Sequence, residues 1–162
     1  LRYRKDLVLE PFEVKHSVPA MGATIYLHKR KLKDEYLGKL PEEIIQLRTS
    51  GVEITREVFD PLVSFMGDCL GESLLDNASV FQSKVLITEC TFLDEGEEAM
   101  AHKKGHTHIS SIIKALNELG DQVKCDKIIL SHFSMKYSER HIQETLAEKI
   151  PEKFKEKVVA FL

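Results

Sequence analysis

The stretch of sequence that decides the fold spans residues 105–132 and reads GHTHISSIIKALNELGDQVKCDKIILSH. Its first half carries apolar residues at helical spacing from Ile109 to Leu119, and Gly120 follows as a helix terminator. Its second half contains the apolar run Ile128-Ile129-Leu130, which is typical of a buried strand. A histidine stands before the helix and another directly after the strand. The stretch therefore predicts a helix followed by a strand, with polar chemistry at both junctions.

The rest of the chain repeats this organisation. Further strands are predicted over residues 7–14, 23–28, 62–66, 85–87 and 158–162. One helix is predicted to begin at Pro41, with Ile44, Ile45 and Leu47 on its buried side, and another is predicted to be capped by Ser138. The charged run between residues 28 and 35 is interpreted as a loop or solvated arm. Strands that alternate with helices define an α/β layered fold whose site lies at the carboxyl ends of the strands.

Composition narrows the class of protein. A chain of 162 residues with 43% apolar content fits one domain with a substantial core. A net charge of −3 argues against a protein that holds nucleic acid by overall charge alone. Three cysteines without a Cys-x-x-Cys pair suit a reducing compartment, and no apolar run approaches the ~20 residues of a membrane span. We therefore expect an intracellular protein without membrane association.

Several polar residues directly follow apolar runs. Asp68 comes after Gly67, which allows a sharp turn, and His132 leaves a fully apolar strand. A neutral imidazole is a good zinc ligand when a second group fixes which ring nitrogen faces the metal. Glu89 could be that group, or it could cap the following loop. Of His106 and His108, which stand at a loop-to-helix junction, we favour His106 as the residue in a site.

Five motifs carry a resemblance through their order and spacing. They are Lys15-His16-Ser17-Val18-Pro19, Met66-Gly67-Asp68, Glu89-Cys90-Thr91-Phe92, Gly105-His106-Thr107-His108 and Ser131-His132-Phe133-Ser134. Together they resemble tRNase Z, the 3′ tRNA-processing endonuclease of the metallo-β-lactamase superfamily, and most closely its short, plant-like form. The resemblance implies roughly the carboxyl-terminal half of a metallo-β-lactamase-type αββα sandwich. It also implies a single domain with a short polar insertion at about residues 28–57.

The resemblance also implies roles for the residues of these motifs. By match, the metal ligands are His16, Asp68 and His132, which complete two zinc sites. Glu89 and His106 form a catalytic pair, and His106 protonates the leaving 3′ oxygen. The implied activity is that of a zinc-dependent endoribonuclease that removes the 3′ trailer from precursor tRNA by attack of hydroxide on a phosphodiester.

The chain departs from the family pattern at several positions. No His-x-His-x-Asp-His cluster occurs in it, although that cluster supplies the remaining ligands of both zinc ions in the family. Cys69 replaces a threonine, Thr88 replaces a histidine, and Lys136 replaces an arginine whose planar group grips phosphate at two points. We therefore expect a piece of a longer protein that is inactive by itself.

The resemblance further suggests RNA contacts and an assembly state. A basic cluster falls where the family carries its tRNA-gripping arm and comprises Lys29, Arg30, Lys31 and Lys33, to which Lys136 is added. Phosphate contacts from such residues would give salt-sensitive affinity, but a charge run is as often a solvated loop. The family also implies a homodimer. The expected compartment is the cytoplasm or nucleus, with a plastid or mitochondrion as alternatives.

Two other functions compete with this interpretation. The first is a superfamily relative that hydrolyses other phosphodiesters or thioesters, against which the pairing of Glu89 with His106 argues. The second is a non-catalytic half-domain that acts as a binding or assembly module. Half a sandwich would expose an apolar face to water, so such a module should associate with another surface.

Overall fold

The fold is organised around a mixed β-sheet. The computed structural model describes residues 2–4 and 6–162, and there seven strands lie side by side in chain order. Strands β1 to β4 are antiparallel, and β4 to β7 are parallel. The carboxyl ends of β4, β5 and β6 therefore meet at one edge of the sheet. The strands are β1 (Arg2–Arg4), β2 (Leu7–Val14), β3 (Ala20–Leu32), β4 (Thr55–Phe65), β5 (Val85–Glu89), β6 (Lys127–Ser131) and β7 (Val158–Ala160).

Five α-helices connect the strands in the described part of the chain. They are α1 (Pro41–Thr49), α2 (Ser73–Asp76), α3 (Glu98–Lys104), α4 (Ile109–Leu119) and α5 (Glu139–Lys149), with 3-10 turns at Asp34–Tyr36, Ala78–Gln82, Gly120–Gln122 and Glu152–Phe154. The predicted cap of α5 is confirmed, because the Ser138 hydroxyl accepts a hydrogen bond from the backbone N–H of His141 at 3.2 Å. None of the helices in the described residues has the length and apolar content needed to cross a membrane.

One face of the sheet is covered by helices and forms the core. Leu86 of β5 and Ile128 and Leu130 of β6 belong to one buried cluster with Ile112 and Leu116 of α4. The 3.6-residue period of α4 places its apolar side chains on one stripe, so this helix buries that stripe while its polar side stays in solvent. The prediction that residues 109–119 form a helix and residues 128–130 a strand is confirmed.

The opposite side of the sheet, which we call the open face, is apolar and accessible. Its central row runs across β3 to β7 in register and consists of Ala23, Phe65, Ile87, Ile129 and Val159. Phe65 is 50% exposed and Val159 is 37% exposed, whereas the side chains on the helix-covered side of the same strands are buried. The α/β architecture predicted from the sequence is thus present as a sheet with one covered side.

The charged run after residue 28 is not the loop that the sequence suggested. Strand β3 continues through it to Leu32 and pairs with β4 as far as Thr55. Two exposed ion pairs connect β3 to the opposite side of this segment, with Lys29 Nζ 3.0 Å from Asp60 Oδ2 and Arg30 Nη2 2.7 Å from Glu53 Oε1. Residues 28–57, with α1 at their tip, form what we call the distal hairpin.

Helix α1 within the distal hairpin begins at Pro41, as predicted. Its predicted buried side is wrong, because none of its residues is buried. Ile44 and Leu47 are half-buried, and Ile45 is 63% exposed. The helix lies at the end of a two-stranded projection, where there is too little neighbouring structure to cover an apolar stripe.

Candidate active site

A glycine turn after β4 places Asp68 at the edge of the sheet. Gly67 has φ +65°, a left-handed conformation that costs glycine little and other residues more. The chain reverses there, and the Asp68 carboxylate is 47% exposed. The sequence predicted this turn from the Met66-Gly67-Asp68 motif, and the backbone conformation of Gly67 confirms it.

Glu89, the last residue of β5, lies almost fully buried behind this edge, with 2% of its side chain exposed. A buried carboxylate needs hydrogen-bond donors to offset its lost hydration. Its Oε1 atom accepts from the backbone N–H of Cys69 and from Nδ1 of His106, both at 2.8 Å. Its Oε2 atom accepts from the hydroxyl of Thr91. One carboxylate thus ties the Asp68 turn to two other segments of the site.

The two neighbouring histidines before α4 have different surroundings. His106 donates Nδ1–H to Glu89, so its Nε2 is left to face the edge of the sheet. His108 is buried and caps α4 instead, because its Nδ1 accepts the Ser110 N–H at 3.2 Å and its Nε2 lies 3.0 Å from the Asp94 carbonyl oxygen. His106 therefore faces the edge of the sheet, whereas His108 is taken up by the cap of α4.

His132 follows β6 in an uncommon backbone conformation. Its φ of +59° makes it the one non-glycine residue with positive φ in the described chain. The ring Nδ1 lies 2.9 Å from the Thr91 hydroxyl oxygen, and Nε2 lies 3.8 Å from Asp68 Oδ2. The strained turn thus points the imidazole at the Asp68 carboxylate.

His16 reaches the same edge from the loop after β2. Its Nδ1 donates to the Gly105 carbonyl oxygen at 2.8 Å, and its ring centroid is 5.4 Å from that of His106. Gly105 ends α3 with φ +82°, and a Cβ atom there would lie 2.7 Å from His16 Nδ1. Only glycine therefore allows the His16 imidazole to approach this backbone.

Asp68, His106 and His132 converge as a possible metal centre. Each can offer a ligand atom within 4.8 Å of the others, and His16 lies outside this group but against the His106 ring. In the neutral imidazoles of His16 and His106, Nδ1 donates to an oxygen that accepts, so Nε2 carries the free lone pair that metal ions require. Imidazole ligands with a fixed tautomer, together with a carboxylate, suit a zinc ion. The residues present thus fit a metal.

Three sequence-predicted RNA contacts, Lys29, Arg30 and Lys136, already form ion pairs within the protein. The Lys136 ammonium lies 2.5 Å from Glu97 Oε1 and 3.4 Å from Asp94 Oδ2. The hydrogen bond to Glu97 raises the pKa of Lys136, and Glu97 also accepts from the Tyr137 hydroxyl at 2.5 Å. In the distal hairpin, Lys29 and Arg30 are each paired with an acid in the same way. A phosphate would have to compete with these carboxylates for any of the three side chains.

The three cysteines are free and buried. Burial raises the pKa of the Cys69 thiol to about 12 and that of Cys125 to about 11, and it raises the pKa of Cys90 as well. The Cys69 side chain lies beneath the Asp68 turn, with its sulfur 3.9 Å from the Thr107 hydroxyl. Burial therefore favours the protonated, less reactive form of these thiols at neutral pH.

Sequence reasoning assigned no role to Thr91 or Gly105, although both touch site histidines. A signal for Thr91 was available, because residues two apart in an extended segment share a face, and Glu89 and Thr91 are two apart. The contact of His16 with Gly105 joins residues that are distant in sequence, and no local pattern predicts it.

Comparison with known proteins identifies relatives in the same family that the five motifs resemble. No family model matches the chain. It is 38% identical over 159 residues to "tRNase Z TRZ2, chloroplastic" of Arabidopsis thaliana, which covers 96% of the chain and 44% of that protein. It is 37% identical over 147 residues to "tRNase Z TRZ1" of the same plant, covering 89% of the chain and 51% of the relative.

A solved structure supports the fold. The metallo-β-lactamase fold protein YhfI from Bacillus subtilis superposes with a TM-score of 0.55 at 13% identity, covering 99% of this chain and 48% of that protein. The chain spans about half the length of the relatives it matches. Sequence identity over most of the chain, together with the metallo-β-lactamase type of fold and the residues gathered at its sheet edge, shows that this chain belongs to the tRNase Z family.

Proposed function

We propose that the complete protein is a zinc-dependent endoribonuclease that removes the 3′ trailer from precursor tRNA, and that this chain carries the carboxyl-terminal part of its single catalytic domain. The observation that carries the proposal is the buried contact of Glu89 with His106 beside the Asp68 and His132 pair. Relatives that match most of the chain are named tRNase Z.

Two zinc ions are proposed as the metal, with His16, Asp68 and His132 as ligands. These three residues are too few for two zinc ions, each of which needs about four ligands. We infer that the remaining ligands come from the part of the protein outside this chain. When bound, the zinc pair supplies a nucleophile at neutral pH and offsets the negative charge of the reacting oxygens.

The chain's own residues supply the proton that the leaving group needs. His106 is held at Nδ1 by Glu89, so in its doubly protonated form its Nε2–H can give a proton to the 3′ oxygen of the tRNA as the phosphodiester breaks, which leaves the neutral imidazole with its remaining proton on Nδ1. Glu89 stabilises the protonated imidazole and fixes its orientation. The products are a tRNA with a 3′-hydroxyl and a trailer with a 5′-phosphate.

The open face supports the domain proposal. It is an apolar sheet surface of the kind that soluble proteins cover, and relatives are about twice as long as this chain. We propose that the remainder of the domain packs on it to complete a metallo-β-lactamase sandwich. Residues 28–57 are proposed as a short insertion in that domain.

Assembly and compartment are also proposed. Two copies of the complete protein are proposed to form a homodimer. The protein is proposed to act inside the cell, in the cytoplasm, nucleus or an organelle, because its three thiols are unpaired and one relative is named as chloroplastic.

The function is tested by metal analysis and cleavage on the complete protein. Mass spectrometry should find about two zinc ions per chain, and a precursor tRNA with a 3′ trailer should be cut to a 3′-hydroxyl product. Chelation should remove both properties, and added zinc should restore them. Absence of metal and cleavage would favour a non-catalytic module, whereas hydrolysis of thioesters without tRNA cleavage would favour another superfamily activity.

The distal hairpin gives a prediction about RNA affinity. Lys31 and Lys33 form no ion pair in the described part of the chain, unlike Lys29 and Arg30, so they are the better candidates for phosphate contacts. The double change of Lys31 and Lys33 to alanine should weaken precursor-tRNA binding and lower the slope of log K against log salt by roughly 1–2. Filter binding at several salt concentrations measures this slope. Lys114→Ala on α4 is the control, and a slope equal to that of the unchanged protein would contradict the RNA-binding role.

The open face gives a prediction about stability. In the complete protein, Ile129→Asp should lower the free energy of unfolding by about 3 kcal/mol or more, because it buries a charge at the contact of two sheets. Met135→Asp is the matched control, since Met135 is fully exposed on a loop. Denaturant unfolding of both variants measures the difference. Equal effects would mean that the open face stays in contact with solvent.

A further inference from the structure

The hydroxyl of Thr91 lies between two groups of the proposed site that do not touch each other. His132 Nδ1 is 4.0 Å from Glu89 Oε2, which is too far for a hydrogen bond. Thr91 Oγ1 contacts both, at 2.9 Å from His132 Nδ1 and at hydrogen-bond distance from Glu89 Oε2. The Thr91 residue is 8% exposed, so water has little access to replace either contact.

The number of hydrogens fixes the direction of both bonds. The Thr91 hydroxyl has one hydrogen, and it donates that hydrogen to Glu89 Oε2, which can only accept. The oxygen of Thr91 must then accept from His132, so the proton of the neutral imidazole sits on Nδ1. The Nε2 lone pair is thereby left free, on the side of the Asp68 carboxylate.

The backbone holds Thr91 in place for this contact. Beyond the ends of β5 and β6 the two segments stay joined, because Cys90 N–H donates to the Ser131 carbonyl oxygen at 2.8 Å and Ser134 N–H donates to the Thr91 carbonyl oxygen at 3.0 Å. These bonds lie on either side of His132 along its segment. The position of the Thr91 hydroxyl relative to the imidazole is therefore set by the sheet and not by a mobile loop.

We propose that Thr91 is a positioning residue that selects the tautomer of His132 and links it to Glu89. A single buried carboxylate then orients His106 directly and His132 through Thr91. Glu89 thus fixes the orientation of both the proposed proton donor, His106, and the proposed metal ligand, His132. The expected effect of Thr91 on metal binding rests on the proposed function, whereas its expected effect on the His132 tautomer does not.

The test compares Thr91→Val, which removes the hydroxyl at nearly constant shape, with Thr91→Ser, which keeps it. Nitrogen-15 NMR of the metal-free complete protein reports which ring nitrogen of His132 carries the proton, with the signal assigned by its loss in His132→Asn. We expect Thr91→Ser to keep the Nδ1–H form and Thr91→Val to lose it. Zinc affinity should fall by roughly 10- to 100-fold in Thr91→Val and be retained in Thr91→Ser.

Two results would overturn the inference, provided that circular dichroism shows both variants folded. One is a Thr91→Val protein with an unchanged His132 tautomer and unchanged zinc affinity. The other is a Thr91→Ser protein that fails as Thr91→Val does, since the methyl group would then be the important part of the side chain. A protein that binds no zinc but shows the tautomer change would overturn the proposed function and leave the role of Thr91 standing.

Discussion

Changing His132 to alanine in the complete protein should remove zinc from the site and reduce precursor-tRNA cleavage by more than about a hundred-fold. Loss of an outer-shell partner already costs 10- to 100-fold in metal affinity or activity, and loss of a ligand should cost more. The neighbouring imidazole of His106, whose ring centroid lies 5.2 Å from that of His132, is held by Glu89 and is assigned to proton transfer, so it is not expected to replace the lost ligand. Metal content by mass spectrometry and single-turnover cleavage measure the two effects.

His102→Ala is the control for this prediction. His102 is an exposed histidine on α3 that does not belong to the converging group. The His102→Ala change should leave the zinc content unchanged. The comparison therefore separates the loss of a metal ligand from the loss of a histidine elsewhere in the protein. If His132→Ala kept its full zinc content, the assignment of His132 as a ligand would be wrong.

Changing Glu89 to glutamine should lower the rate constant for cleavage by roughly 10²- to 10⁴-fold, the usual contribution of a general acid. The amide has about the same shape as the carboxylate but carries two hydrogens on one of its ends. Because Glu89 faces the donors Cys69 N–H, His106 and Thr91, the amide must present hydrogens to at least one of them. His106 would lose the negative charge that stabilises its protonated form.

The kinetic pattern distinguishes this role from a loss of substrate binding. The fall should appear in the rate constant at saturating precursor tRNA, measured with enough zinc to keep the site filled, because the change at Glu89 also reaches His132 through Thr91. Glu95→Gln serves as control, since Glu95 is 91% exposed in the loop before α3. A Glu89→Gln protein that cleaves at the normal rate would exclude the pair from proton transfer.

Local patterns in the sequence predicted the elements around the site well. The apolar stripe of α4, the runs of β5 and β6 and the turn at Gly67 depend on neighbours in the chain, and all four are present. Parallel strands that end in polar residues place those residues at one edge, so the meeting of Asp68, Glu89 and His132 also followed from the sequence.

Features that depend on distant partners were not predictable in this way. The charged run at Lys29-Arg30-Lys31 reads as solvated, but pairing with β4 makes it a strand. The bridge from Thr91 to His132 requires the register of β5 against β6, which no local pattern contains. The roles of Glu89 and His106 came from the family resemblance, because a strand-end glutamate by itself has no distinctive partner.

The buried Cys69 thiol beneath the Asp68 turn can be used to measure local opening of the candidate site. The thiolate is the form that alkylating reagents attack, and burial keeps Cys69 protonated. Because Cys69 is fully buried, the reagent can reach its sulfur only during a local opening of the structure around the Asp68 turn. The rate of Cys69 alkylation then measures how often this part of the structure opens. A ligand that binds only the closed form should slow the alkylation, and at a fixed ligand concentration the effect should grow with affinity.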